Sequence, residues 1–125
     1  MLPLANRIHR GTEIRGVVKA SRRVNTATAI AYLRVNPGQE ICRFGFICGK
    51  AVGNAVTRNL ALRRFRSCCG KYLNDVDIGQ LEVVFRIKPA AATLGFPQIE
   101  RDIEKAVQVA RAKMLRLQGG LKCPI

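Results

Sequence analysis

The residues with the most chemical content lie in one stretch, Lys50-Ala-Val-Gly53-Asn54-Ala-Val-Thr-Arg58-Asn59-Leu-Ala-Leu-Arg63-Arg64-Phe-Arg66. Four arginines fall within nine residues, just after a glycine turn that ends an apolar run. A guanidinium donates from a rigid fork and can hold two oxygens of one phosphate at once, which an ammonium cannot. Bond-making chemistry asks for other groups, a base of tuned pKa or carboxylates that hold a metal. The stretch contains no acid, histidine or cysteine, and the single His9 stands near the N-terminus. Asp75, Asp77, Glu82, Glu100, Asp102 and Glu104 all lie away from it in sequence. The pattern is that of a surface that grips a polyanion, not of a centre that makes or breaks bonds.

The helix that must carry these cations is predicted from about Asn54 to Leu73. At 100° per residue, Ala61, Phe65, Cys68, Cys69 and Tyr72 share an arc that should face a sheet. Asn59, Arg63 and Arg66 form a polar stripe on another arc, with Arg64 among the flanking cations. Arg58 sits in the first turn, where the helix dipole already favours an anion. Gly53 and Asn54 are expected to leave amide groups free at the helix mouth, a seat for one more phosphate. Lys50 adds a cation beside it.

Composition agrees. The chain has 125 residues, 22 Lys and Arg against 8 Asp and Glu, and a formal charge of +14. Residues 1–73 carry 14 basic and 2 acidic side chains, residues 74–125 carry 8 and 6. Positive charge so concentrated repels itself unless a polyanion neutralises it. Nucleic acid is that polyanion. Membrane is not expected, because no run approaches the ~20 apolar residues of a spanning helix. The N-terminal stretch lacks the apolar block of a secretory signal, so a cytoplasmic location is expected. Five cysteines without a C-x-x-C pair read as buried thiols, and no protein-held metal is expected.

The remaining elements support one domain over residues 1–125. Thr12 can cap a short helix with Ile14, Val17 and Val18 on one face, running to about Ser21-Arg22-Arg23. Residues 27–35 and Ile41 to Cys48 read as strands joined through Asn36-Pro37-Gly38, a hairpin signal, with Phe44, Phe46 and Cys48 pointing one way. Residues 81–88 alternate as a strand ended by Pro89. A loop then leads to Phe96-Pro97 and a last helix with Ile99, Ile103, Ala106, Val107, Ala110, Met114 and Leu117 as its apolar stripe. The order gives an α/β (α+β) sandwich, helices packed on a small, mainly antiparallel sheet.

Lys50, Gly53, Asn54, Ala55, Val56, Arg58, Asn59, Arg63 and Arg66 match a known pattern. The stretch resembles the signature of the bacterial ribonuclease P protein subunit, whose core reads S-K-x-x-G-N-A-V-x-R-N-R-x-K-R. Asn6-Arg7-Ile8 upstream and Val83-Val84-Phe85-Arg86 running into Lys88-Pro89 downstream agree with the family in the same register. Gly49, Leu60 and Leu62 depart from it, standing where the family has a serine, an arginine and a lysine. Ile14 and Val18 stand where the family has aromatic residues. The resemblance implies a ribosomal-protein-S5-like fold with a left-handed crossover into the strand near Val83. It also implies a function. The protein would partner a catalytic RNA that removes the 5′ leader of precursor tRNA, with Mg2+ held mainly by that RNA and no DNA expected as a partner.

The resemblance further implies a leader cleft between the first helix and the sheet. Tyr32 falls at its strand aromatic and Phe46 is a candidate neighbour, although both could be core filler. Arg86 could reach the leader backbone or simply be exposed, and Ile14 and Val18 could line the cleft or simply pack. Two rival readings are a ribosomal protein of the same fold and a protein-only nuclease.

Overall fold

The computed structural model describes residues 7–8, 11–20, 22–36, 39, 41–72 and 79–122. Asn6, His9, Ser21, Pro37, Gly38, Leu73, Asp75 and Asp77, all named above, lie outside the described residues, as does the fifth cysteine, Cys123. The elements are α1 (Gly11–Ala20), β1 (Arg22–Asn25), β2 (Ala29–Val35), β3 (Arg43–Ile47), α2 (Ala55–Cys69), β4 (Leu81–Ile87) and α3 (Ala91–Lys122). Short 3-10 turns at Lys50–Val52 and Gly70–Tyr72 flank α2. The four strands form one sheet in the order β1-β2-β4-β3. β1 and β2 are antiparallel, as are β2 and β4, whereas β3 runs parallel to β4 with α2 as the crossover between them.

That order corrects the expected hairpin. β2 and β3 do not pair; β4 lies between them. Six of the seven β4 residues are buried, and a strand apolar on both faces belongs in the middle of a sheet. The link after β2 crosses the start of β4. There Asn36 N–H donates to the Gln80 carbonyl at 2.7 Å, and Gln39 Nε2 donates to the Leu81 carbonyl at 2.8 Å. Asn36 and Gln39 are thus held against the start of β4, and β3 follows on its far side. A second correction concerns Arg22 and Arg23, which belong to β1 and not to the end of the first helix. β1 is a short polar edge strand whose one buried residue is Val24, so it carries little hydrophobic signal. Thr12 lies within the first turn of α1, which starts at Gly11 and not after a Thr12 cap.

Alternation along the strands divides the protein into two packed faces. On one, Ala31, Leu33, Phe44, Val83 and Phe85 meet α2 and α3. Phe65 of α2 sits 5.7 Å from Phe85 and 6.3 Å from Phe46, ring centre to ring centre. Full burial of such a ring is worth about 2–3 kcal/mol of transfer free energy. This anchor fixes the rotation of α2, and with it the direction of the opposite stripe. On the other face, α1 buries Val17 over Tyr32 and Val84, with Ile14 and Val18 at the margin.

α3 breaks at Gly95, where φ is 79°, a left-handed value glycine takes without strain. The break lets Pro97 sit without a helical N–H bond upstream. Beyond it, Ile99, Ile103, Ala106, Val107, Ala110 and Met114 are buried as the stripe predicts; the Leu117 side chain lies outside the described part. Asp102 is buried on this helix and accepts from the Thr28 amide at 2.9 Å, the Thr28 hydroxyl at 2.5 Å and Gln98 Nε2 at 2.9 Å. These bonds tie α3 to the turn before β2.

Cys42, Cys68 and Cys69 are buried thiols, and Cys42 Sγ donates to the Tyr72 carbonyl at 3.2 Å. Burial pushes Cys68 up from 9.0 to about 11, aided by the Glu100 carboxylate and opposed by Lys71. Cys69 is raised well above 9.0 by burial and then by Cys68 and Cys42. A thiol held protonated in the fold contributes stability that is complete below its unfolded value and disappears as pH passes the folded one. Unfolding free energy is therefore expected to decline between pH 9 and about 11, measurable by denaturant titration at both ends of that window. The same thiols should resist alkylation at neutral pH until the protein is unfolded.

Candidate nucleic-acid interface

The site starts at the turn that launches α2. Val52 is buried and holds the 3-10 turn against the core, while Lys50 stays exposed. Gly53 follows with φ 150°, and a Cβ there would lie 2.9 Å from Thr57 Cβ and Cγ2. Asn54 then caps the helix, its Oδ1 accepting from Thr57 N–H at 2.9 Å. The Gly53 N–H is not free as expected, because it donates to the Lys50 carbonyl at 3.2 Å. The amides that an α-helix cannot satisfy from within are those of its first turn, here Ala55 and Val56. Gly53→Ala is expected to cost about 2 kcal/mol through backbone strain and the Thr57 collision. Urea unfolding would measure this.

Along α2, Asn59, Arg63 and Arg66 share one face as the spacing predicts. With Ser67 and Arg7 they line an open groove of about 490 Å³. Arg7 is the residue sequence reasoning missed as a site member. It arrives from far upstream because residues 7–8 add to the free edge of β3. Arg7 bridges Phe44 in parallel, and Ile8 N–H donates to the Phe44 carbonyl at 2.8 Å. Gly45 permits the approach, since a Cβ there would lie 3.1 Å from Ile8 Cβ and from its carbonyl oxygen. The only local signal was an apolar Ile8 beside a cation, too short to reveal a pairing.

The Arg7 backbone is held by a buried ionic network. Arg43 Nη2 donates to the Arg7 carbonyl at 3.0 Å. Arg43 also pairs with Glu13 of α1 at 2.8 Å and with Glu82 at 3.2 Å. The Glu82 carboxylate, 1 % exposed, accepts from Arg34 at 2.5 Å as well. One carboxylate thus fixes two arginines, and through Arg43 it orients both α1 and the Arg7 segment.

Other candidates fall elsewhere. Arg58 is half-buried on a different arc of α2, its Nε buried without a hydrogen-bond partner, and its charge lowers the pKa of Cys48 against a larger upward push from burial. Arg64 is half-buried about 100° beyond Arg63, away from the groove-lining side chains. Neither lines the groove.

The expected leader cleft is split. Ile14 and Phe46 meet Arg7, Ile8, Phe44 and Arg66 around a cavity of about 230 Å³ at the β3 edge. It shares Arg7 and Arg66 with the larger groove, so an apolar recess opens beside the cations. Phe46 also packs within the aromatic core, on the sheet face opposite Tyr32. Tyr32 is 4 % exposed under α1 with Val18 beside it. The Arg23 and Arg86 guanidinium carbons lie 5.7 and 5.9 Å from its ring centre. An open stacking ring at Tyr32 is therefore corrected to a buried ring covered by cations. Leu62 packs against the main core, which explains an apolar residue at that position.

The groove's side chains offer hydrogen-bond donors and positive charge. Among the described residues no three His, Cys, Asp or Glu side chains converge so as to hold a metal ion. Nor is any helix among them long and apolar enough to cross a membrane.

A family model described as Ribonuclease P matches residues 2–111. The chain is 36% identical over 107 residues to the ribonuclease P protein component of Clavibacter michiganensis subsp. michiganensis, covering 86% of this chain and 94% of that protein. It is 34% identical over 121 residues to the component of the same name from an Arthrobacter species, covering 97% and 86%. Among solved structures, a Staphylococcus aureus RNase P protein mutant superposes with a TM-score of 0.76 at 23% identity, over 86% of this chain and 89% of the other. The RNase P protein of Thermotoga maritima gives 0.68 at 16% identity, over 80% and 93%. These structures share the mixed four-stranded, three-helix architecture. The chain belongs to the ribonuclease P protein family, the accessory protein component of a tRNA-processing endoribonuclease whose other subunit is RNA.

Proposed function

We propose that the groove of Arg7, Asn59, Arg63 and Arg66 seats the phosphate backbone of the catalytic RNA. The recess beside it, floored by Ile14 and Phe46, takes the 5′ leader of precursor tRNA. Arg23 and Arg86, over Tyr32, offer a second cationic surface to the same strand. Mg2+ at the scissile phosphate belongs to the RNA, and the polypeptide contributes binding and charge neutralisation in the cytoplasm. Two polyanions must approach each other, and each phosphate neutralised releases counterions, about 0.7 log units of affinity per tenfold change in salt for a single-strand contact.

One observation carries this reading. A cation from the start of the chain and two from its middle converge, through β3 pairing and Phe65 packing, on a single groove. The test adds purified protein to the catalytic RNA at low magnesium and follows precursor-tRNA cleavage. Stimulated cleavage is expected. No stimulation, with co-sedimentation on ribosomes instead, would assign the chain to structural RNA binding. Cleavage by the protein without RNA would overturn the accessory role.

A further inference from the structure

Next to the cationic groove, α2 presents an apolar step that phosphate binding does not explain. Val56 is 78 % exposed and Leu60 43 % exposed. They stand four residues apart, neighbours on one helix face. With Asn59 and Arg63 they line a recess of about 280 Å³ that shares Asn59 and Arg63 with the main groove. A single exposed aliphatic needs no explanation, but two adjacent ones between an amide and a guanidinium form an amphipathic seat.

The occupant must bring an apolar face, a polar edge and a negative charge in that order. A phosphate lacks the face, and an aliphatic protein segment lacks the charge. An unstacked nucleotide has all three: a flat base, a hydrogen-bonding rim and a phosphate on the same residue. We infer that the Val56–Leu60 step receives one unpaired base of the bound RNA, Asn59 hydrogen-bonds its edge and Arg63 holds its phosphate. The inference deepens the reading of the groove as the RNA seat and rests on it. It also gives Leu60 a positive role: at this position the helix trades a cation for contact with a base.

Base contact and phosphate contact differ in their response to salt. Removing a phosphate contact flattens the slope of log affinity against log salt, whereas removing an apolar base contact lowers affinity equally at every salt. The full-length protein and the catalytic RNA would be titrated between 50 and 500 mM salt, roughly the range over which such slopes are resolved. Val56→Ser and Leu60→Ser are expected to weaken binding about five- to tenfold each, with unchanged slope. Leu94→Ser, which alters a leucine 48 % exposed on α3, serves as the control and leaves affinity unchanged.

Arg63→Ala and Arg66→Ala in the same titrations separate the two claims. If they leave the slope unaltered, the groove is not the RNA seat and the reading beneath the inference fails. If they flatten it while both serine variants bind within twofold of the parent protein, the base seat alone is wrong. Serine variants that lose affinity together with slope would also overturn it, since Val56 and Leu60 would then support phosphate contacts only. Thermal melting of each variant confirms that the fold is kept, because both side chains are outside the buried core.

Discussion

Replacing Arg63 and Arg66 together by alanine should lower affinity for the catalytic RNA about a hundredfold at moderate salt, each charge-assisted hydrogen bond contributing about 1.5–3 kcal/mol before neighbouring cations compensate. The slope of log affinity against log salt should fall by about 1.4 if both arginines meet single-stranded phosphates. Electrophoretic mobility shift at several salt concentrations measures both quantities. Folding should be little affected, since Arg63 is exposed about 160° round the helix from Phe65 and Arg66 is only half-buried. An Arg58→Ala variant should behave differently. That side chain is half-buried outside the groove, so its loss should change the salt slope less than the loss of Arg63 does. Equal effects from Arg58 and Arg63 would show that RNA wraps the first turn of α2 as well as its groove face.

Glu82→Ala should have the largest effect on stability. Removing one member of a buried ion-pair network costs about 3–5 kcal/mol when the partners remain buried. Arg34 and Arg43 retain 30% and 23% side-chain exposure, so part of their charge can regain water. The expected loss is therefore at the lower end, about 3 kcal/mol, read from denaturant midpoints. RNA affinity should fall too, because Arg43 would no longer be oriented to hold the Arg7 carbonyl. Glu82→Gln should recover part of the stability, since an amide oxygen can still accept from Arg34. Restoration of stability without restoration of affinity would show that the carboxylate charge, and not merely its shape, sets the position of Arg7.

The helices and the long strand were legible because their signals are periodic and strong. Ala61, Phe65, Cys68 and Cys69 repeat at helical spacing, and all four are buried. The stripe on α3 behaved likewise. What could not be read was pairing over distance. Asn36-Pro37-Gly38 carries the chemistry of a turn, but turn chemistry does not say whether the chain returns beside the strand it left. Burial of both faces of β4 decides that, and it draws β2 and β3 to opposite sides. β1 was invisible because an edge strand with three exposed residues shows almost no alternation of polarity.

The candidate site divided in the same way. Asn59, Arg63 and Arg66 were found because one helix positions all three. Arg7 was not, because its place depends on Ile8, Gly45 and Arg43, residues separated by most of the sheet-forming half of the chain. Tyr32 was misplaced for the converse reason. Its hydroxyl suggested water, yet the ring lies under Val17 and beside Val84, and two guanidinium groups cover it.

The residues that dock on β3 have a further consequence. A parallel edge strand with free amides and carbonyls invites a second chain to pair with it, the first step towards self-association. Ile8 occupies part of that edge and its neighbour turns the occupied edge into a positively charged rim. Shielding against aggregation and recruitment of an anionic partner are thus the work of one dipeptide. Weakening its attachment would make the protein both stickier towards itself and poorer at holding RNA.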